Sequence, residues 1–235
     1  MKNSPKKLII VLSIACSAIL IFVLSITIFI PFIRYNMGMN AYERQNYSEA
    51  IEMFDKSNNF NQCLTSDAYY SSIYHHAINL ETESILLSYQ FYRKLPENYL
   101  DSATRMQEIE PYVKWCRKYS NGERAEFATG YSCSLADVVE IRVFRDGDLF
   151  KWGIYCVSDT FEESGAQIIN AFGIATENGL ETMLFDGKDT DTTKNAHYKY
   201  HVENDGEHLI SEGTWDSKTK KDTSFVDYYT YTRID

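Results

Sequence analysis

"GMNAYERQNYSEAIEMFDKS", residues 38–57, places small and apolar residues at helical spacing on both sides of a short polar turn. The pattern predicts a helix over residues 33–44, a turn at residues 45–47 and a second helix over residues 48–57, with Ser48 as its N-cap. Small residues allow two antiparallel helices to approach closely, while large apolar residues fill the space between them. The predicted core of this helical hairpin consists of Gly38, Ala41, Ala50 and Phe54.

The order of these residues resembles a tetratricopeptide repeat. Such a repeat has a small residue in its first helix, a tyrosine at the turn, and an alanine and a large aromatic residue in its second helix. The residues at these positions are Gly38, Tyr47, Ala50 and Phe54. The sequence departs from the pattern at Arg34, where an aromatic residue is usual, and it lacks the closing proline. The resemblance implies a helical unit whose surface binds other proteins.

Helical periodicity continues beyond the hairpin. It predicts a second helix pair over residues 67–79 and 83–94. A third helix is predicted to start at Asp101 or Ser102 as its cap, and Pro111 is predicted to break or kink it. The resemblance implies two to two and a half degenerate repeats, and an ordinary helical bundle is the alternative.

A run of 26 uncharged residues, residues 8–33, precedes the hairpin. As a helix it would be about 39 Å long, against roughly 30 Å for the hydrocarbon core of a bilayer. It is also longer than the apolar core of a cleaved signal peptide, which is about 7–15 residues. Three lysines precede the run and only Arg34 follows it closely, so residues 1–7 are predicted to be cytoplasmic. We expect a single-pass cell-membrane protein that contacts the lipid bilayer through residues 8–33, and cleavage of the segment is the alternative.

The charge of the chain is unevenly distributed. The net charge is −10, but residues 1–34 hold four basic and no acidic residues. The remaining 19 basic and 33 acidic residues therefore give a net charge of −14 to the part predicted to lie outside the cytoplasm. Such a surface repels phosphate backbones, so nucleic acid is not an expected partner.

The cysteines do not form a recognisable motif. Cys16 lies in the apolar run, and no C-x-x-C pair is present among the five cysteines. Cys63, Cys116, Cys133 and Cys156 can form two disulfides in three ways, or none. Free buried thiols are favoured, because both predicted exterior regions are large enough to form cores without disulfides.

From residue 120 onward, Asp-Gly and Asn-Gly pairs separate short runs rich in β-forming residues. Val139, Ile141 and Val143 alternate with polar residues, as expected of a strand with one buried face. The predicted strands are residues 138–145, 149–157, 166–175, 180–185, 197–202, 208–215 and 224–234. They predict an antiparallel barrel or sandwich, and this region loosely resembles lipocalin-like bacterial domains.

The expected fold is therefore an α+β multidomain chain. It consists of a cytoplasmic segment (residues 1–7), a transmembrane helix (residues 8–33), a helical region similar to tetratricopeptide repeats (residues 34–119) and an antiparallel β-domain (residues 120–235).

The sequence contains no familiar catalytic or cofactor-binding motif. G-x-S-x-G, H-E-x-x-H and a glycine-rich phosphate loop are all absent. His75 and His76 are adjacent, so on a helix they point about 100° apart and do not favour a shared metal. We therefore predict no catalytic residue, no cofactor and no metal site.

These observations favour a non-enzymatic, membrane-anchored scaffold that binds a partner protein in the cell envelope. The predicted partner contacts are Tyr42, Tyr47 and Glu49 on the helical region. The alternative is a protein that binds a small molecule or envelope component in a cavity of the β-domain. That cavity would be lined by Phe150, Trp152 and Tyr155.

Overall fold

The computed structural model describes residues 5–124, 138–157, 173–188, 194–217 and 225–234. The chain divides into two compact units. The helical unit comprises Met1–Ala77 and Phe91–Glu97, and the β unit comprises Ile78–Gln90 and Asn98–Asp235.

The chain begins with one long apolar helix. Helix α1 (Pro5–Leu24), a π-helical segment (Ser25–Phe29) and helix α2 (Ile30–Glu43) follow one another without a break. Ser13–Glu43 is long and apolar enough to cross a membrane, although a signal sequence would share these properties, and only 6% of its apolar stretch is buried. The prediction of a single long apolar N-terminal helix is therefore confirmed in its length and composition.

The polar side chains inside the apolar helix are satisfied by the helix itself. The hydroxyls of Ser25 and Thr27 each donate to the carbonyl oxygen four residues earlier, at 2.8 Å. Ser17 does the same at 2.9 Å. These local bonds remove the cost of placing a hydroxyl in an apolar environment.

Helix α3 (Tyr47–Asp55) follows α2 after a short turn and packs against it. Its N-cap is Asn46, whose side-chain oxygen accepts from the backbone N–H of Glu49 at 3.4 Å. The prediction of Ser48 as N-cap was wrong, because Asn46 is an equally good cap and lets the helix begin one residue earlier.

Four further helical elements follow. They are a 3₁₀ segment (Phe60–Thr65), α4 (Asp67–Glu81), α5 (Ile85–Tyr92) and α6 (Ser102–Val113). Asp101 occupies the N-cap position of α6 but binds the Arg105 side chain rather than a backbone N–H. Helix α6 continues through Pro111 as far as Val113, so of the two predicted effects of Pro111, a break or a kink, the break does not occur. The lost N–H bond falls in the last turn, where the helix is ending anyway.

In its described residues, the β unit has nine antiparallel strands in one nearly closed, barrel-like sheet. The strands are β1 (Lys118–Arg124), β2 (Val138–Asp146), β3 (Leu149–Val157), β4 (Gly173–Thr176), β5 (Gly179–Leu180), β6 (Met183–Lys188), β7 (Lys194–Glu203), β8 (His208–Ser217) and β9 (Phe225–Arg233). Their order is β5-β4-β3-β2-β1-β9-β8-β7-β6, so every pair of sequential strands except β5 and β6 is adjacent, and the last strand pairs with the first. Among the described residues, β5 and β6 are the two edges.

The predicted strands are largely confirmed, with three differences. The predicted strand 180–185 is divided between β5 (Gly179–Leu180) and β6 (Met183–Lys188), which lie at opposite ends of the strand order. Strand β1 falls where no strand was predicted, because "KYSNGER" has no apolar alternation and Tyr119 is its only large apolar residue by sequence. Most of the predicted run 166–175, residues 166–172, lies outside the described residues. The hairpin between β2 and β3 is as predicted, with Gly147 at a φ of +61° in its two-residue loop.

One face of β2 and β3 forms the core of the sheet. Val143 lies opposite Trp152 and Ile141 lies opposite Ile154, and all four side chains are buried. A Cβ atom at Gly173 would lie 2.1 Å from Nε1 of Trp152, so only glycine fits beside that indole. The predicted alternation along these two strands therefore corresponds to burial.

Cys63 and Cys116 are free and buried, as the sequence favoured. Burial raises the pKa of the Cys116 thiol to about 11, so the thiol stays protonated and unreactive at neutral pH. Cys133 lies outside the described residues.

Candidate interaction surface

A cluster of aromatic rings lies at the turn end of the α2–α3 hairpin. The rings of Tyr42 and Tyr47 are 6.4 Å apart, and Tyr47 stacks on His75 of α4 with centroids 4.9 Å apart and planes 20° apart. Tyr74 meets His75 edge-on at 5.3 Å. We call these four residues the aromatic ridge. Tyr42, Tyr47 and His75 are half-buried, so each retains surface that a partner can cover.

Polar groups border the aromatic ridge. Glu49 follows Tyr47 by two residues, and its carboxylate accepts from the Asn46 side chain at 2.8 Å. The Arg44 guanidinium lies 3.9 Å from the same carboxylate. The Tyr42 hydroxyl donates to Ser71 Oγ at 3.4 Å. Half-buried aromatic rings with a polar rim are characteristic of protein-binding surfaces.

The hairpin core beneath the ridge is tightly packed. Ala41, Ala50 and Phe54 are completely buried, and a Cβ atom at Gly38 would lie 2.8 Å from the Phe54 ring. Tyr69 of α4 packs edge-on against Phe54, with centroids 6.0 Å apart. This packing fixes α2 and α3 against each other and so holds Tyr42 and Tyr47 in place.

Tyr69 also connects α4 to the end of α3. Its hydroxyl donates to the Asp55 carboxylate at 2.7 Å. Burial, and then the bond to Asp55, raise the pKa of the Tyr69 phenol above its ordinary value. The phenol therefore remains a donor at any physiological pH, and the bond does not depend on pH in that range.

Of the three predicted partner contacts, Tyr42 and Tyr47 pack ring against ring, and Glu49 lies beside them. The sequence reasoning missed His75, which it considered only as a metal ligand. The sequence places Ser71 and His75 one helical turn apart on α4, and therefore on one face of that helix. In the structure, Ser71 bonds to Tyr42 and His75 stacks on Tyr47.

The three residues predicted to line a cavity in the β unit are not brought together. Phe150 and Trp152 occupy the same face of β3, whereas Tyr155 is on the opposite face. Trp152 is fully buried and its indole N–H donates to the carbonyl oxygen of Glu181 at 2.9 Å. Phe150 stacks on Tyr112 of α6 at 4.0 Å, and Tyr155 lies under the Arg142 guanidinium at 4.3 Å. Burial raises the pKa of the Tyr155 phenol.

The β unit also contains a charge cluster centred on Glu81. Nη1 of Arg105 lies 3.1 Å from one carboxylate oxygen of Glu81, and Nε of Arg145 lies 2.7 Å from the other. Arg145 also contacts Glu108 at 2.8 Å, and Arg105 also contacts Asp101 at 3.1 Å. The Glu81 side chain is only 3% exposed, and each of its two carboxylate oxygens faces a guanidinium group. These ion pairs connect α4 and α6 to β2.

No protein-family model, no curated protein and no solved structure matches the chain. The resemblances to tetratricopeptide repeats and to lipocalin-like domains therefore stay predictions.

Proposed function

We propose that the chain is a non-enzymatic scaffold anchored in the cell membrane by a single N-terminal helix. In this proposal residues 1–7 are cytoplasmic, and the helical and β units lie on the other side of the membrane. The aromatic ridge binds a partner protein in the cell envelope, in the manner that degenerate tetratricopeptide repeats would allow.

The observation that carries the proposal is the continuity between the apolar helix and the ridge. The helix leaves nearly all of its apolar surface uncovered by the rest of the described chain, and such a surface requires a lipid or protein environment. The same helix continues into α2, which supplies Tyr42 of the ridge. The proposed anchor and Tyr42 of the ridge therefore lie on one continuous helix, and this supports the role of a scaffold.

The ridge has the chemistry of a protein-binding site. Tyrosine presents a large ring with a hydrogen-bonding group and loses little conformational entropy when a partner covers it. The stacking of Tyr47 on His75 and the Tyr42–Ser71 bond hold these side chains in place before binding. A preformed surface of this kind lowers the ordering cost of association.

Site-specific photocrosslinking in cells tests the proposal. A photoreactive amino acid replaces Ser48, an exposed residue next to Tyr47. We expect one dominant crosslinked protein, and we expect Tyr47→Ala to weaken the crosslink because it removes the central ring of the ridge. The matched control is Tyr89→Ala, which removes a half-buried tyrosine of α5 that bonds Glu110 at 3.0 Å, outside the ridge. Equal crosslinking in both variants would contradict a partner site at the ridge.

A further inference from the structure

The end of the α2–α3 hairpin opposite the ridge lies beside the last residues of the apolar run. We define residues 56–65 as the base segment. The Phe60 ring lies 5.8 Å from Phe32 and 5.9 Å from Tyr35. Nη1 of Arg34 donates to the carbonyl oxygen of Lys56 at 2.7 Å. The base segment is therefore at the level of residues 32–35 along the helix.

That level is where the uncharged run of the helix ends, at Ile33. Phe32 and Ile33 are 47% and 54% exposed, so a bilayer that covers the helix extends at least this far. The helix is continuous here, so no linker separates the proposed membrane segment from the folded hairpin. The base segment must then lie close to the bilayer surface. This step depends on the proposed membrane anchor.

The side chains at this level suit the headgroup region of a bilayer. Tyr35 and Phe60 supply aromatic rings, which are favoured at the membrane–water interface. Arg34 supplies a cation on a long apolar stem, and such side chains reach towards lipid phosphates. The exposed amide side chains of the base segment are Asn58, Asn59, Asn61 and Gln62.

The acidic groups of this end are already engaged. Glu52 forms an ion pair with Lys56 one helical turn away, and Asp55 accepts from the Tyr69 hydroxyl. Arg34 adds a positive charge at the same end, in a chain whose net charge is negative. Residues 56–65 themselves contain no acidic residue, so the base segment adds no negative charge that an anionic leaflet would repel.

We propose that the base segment rests on the phospholipid headgroups on the side of the membrane that carries the folded units. This contact sets the height of the aromatic ridge. Tyr42 is nine residues beyond Ile33, which corresponds to a rise of about 14 Å along the helix. A protein bound at the ridge therefore lies close to the membrane.

Quenching of an added tryptophan by brominated lipid tests this contact in the full-length protein. The protein is reconstituted in vesicles of phosphatidylcholine and phosphatidylglycerol, with bromine on the phosphatidylcholine chains close to the glycerol. Lys56→Trp and Phe60→Trp report on the base segment, and Glu43→Trp at the far end of α2 is the control. The fluorescence of the unsubstituted protein is subtracted, because Trp115, Trp152 and Trp215 are present.

We expect loss of the added fluorescence and a blue shift for Lys56→Trp and Phe60→Trp, and neither change for Glu43→Trp. Phe60 is half-buried whereas Lys56 is exposed, so Lys56→Trp remains informative if Phe60→Trp disturbs packing. Vesicle-bound protein in which all three variants are equally unquenched would overturn the headgroup contact and leave the anchor intact. Protein that does not float with the vesicles would overturn the anchor as well.

Discussion

Glu81 is a buried carboxylate held by two arginines, and its energetic role differs from that of its neighbour Glu108. Both contact Arg145, but the Glu81 side chain is 3% exposed and the Glu108 side chain is 52% exposed. A buried carboxylate is costly to place, yet the removal of its charge is more costly still, because the guanidinium groups of Arg105 and Arg145 then keep only the exposed carboxylates of Asp101 and Glu108 as counter-charges. An exposed ion pair is screened by water and contributes little.

This contrast gives a prediction at the residue scale. Glu81→Gln keeps the size of the side chain and removes its charge, and we expect it to lower the free energy of unfolding by about 3 kcal/mol. The control Glu108→Gln removes the charge of the exposed partner of Arg145. It should change the free energy of unfolding by less than about 1 kcal/mol. Thermal or denaturant unfolding of both variants measures the difference. Equal effects would show that burial of Glu81 does not govern the strength of the cluster.

At the scale of elements, the α2–α3 hairpin depends on the absence of a side chain at Gly38. A Cβ atom there would lie 2.8 Å from the ring of Phe54, which is completely buried and cannot move aside freely. Overpacking of this kind costs about 1–3 kcal/mol, whereas alanine in place of glycine within a helix gains about 1 kcal/mol. The steric cost of the added methyl group is therefore expected to exceed the gain in helix propensity.

We accordingly predict that Gly38→Ala destabilises the hairpin and shows increased proteolysis between α2 and α3. In the background of Phe54→Leu, a smaller side chain makes room for the added methyl group, and the same substitution should be neutral or stabilising. Asn40→Ala, at an exposed position of the same helix, controls for helix propensity. If Gly38→Ala is as harmful with Leu at position 54 as with Phe, contact with the ring is not the cause.

The elements that sequence reasoning predicted well are those whose pattern is local. The apolar helix, the alternation on β2 and β3, and the hairpin turn at Gly147 all follow from neighbouring residues. Strand β1 was missed because its pairing with β2 and β9 is long-range and leaves no apolar alternation in "KYSNGER". The N-cap of α3 was misplaced because both Asn46 and Ser48 are good capping residues.

The same distinction applies to the candidate site. Tyr42, Tyr47 and Glu49 could be chosen because they lie on one predicted hairpin. His75 could not be placed against Tyr47 from the sequence, because the stacking depends on how α4 returns to the hairpin 28 residues later. Phe150, Trp152 and Tyr155 were grouped by proximity along β3, although strand alternation alone separates Tyr155 from the other two.

At the scale of the whole molecule, the chain divides into a helical unit that includes the apolar helix and a β unit that also contains helix α6. The helical unit carries the aromatic ridge, and the β unit carries a sheet whose first and last strands pair. The three lysines before the apolar helix, with only Arg34 close behind it, favour the proposed cytoplasmic N-terminus. Everything proposed about the ridge and the base segment depends on this membrane topology.

Protease protection in intact cells tests that topology most directly. The full chain carries one epitope at each end, and protease is added to cells whose outer barriers have been removed but whose membrane is sealed. We predict that the C-terminal epitope is lost while an N-terminal fragment ending near Arg34 is protected and remains in the membrane. Survival of the whole chain until the membrane is broken would contradict the orientation, and a soluble chain without its N-terminal epitope before protease is added would contradict the anchor.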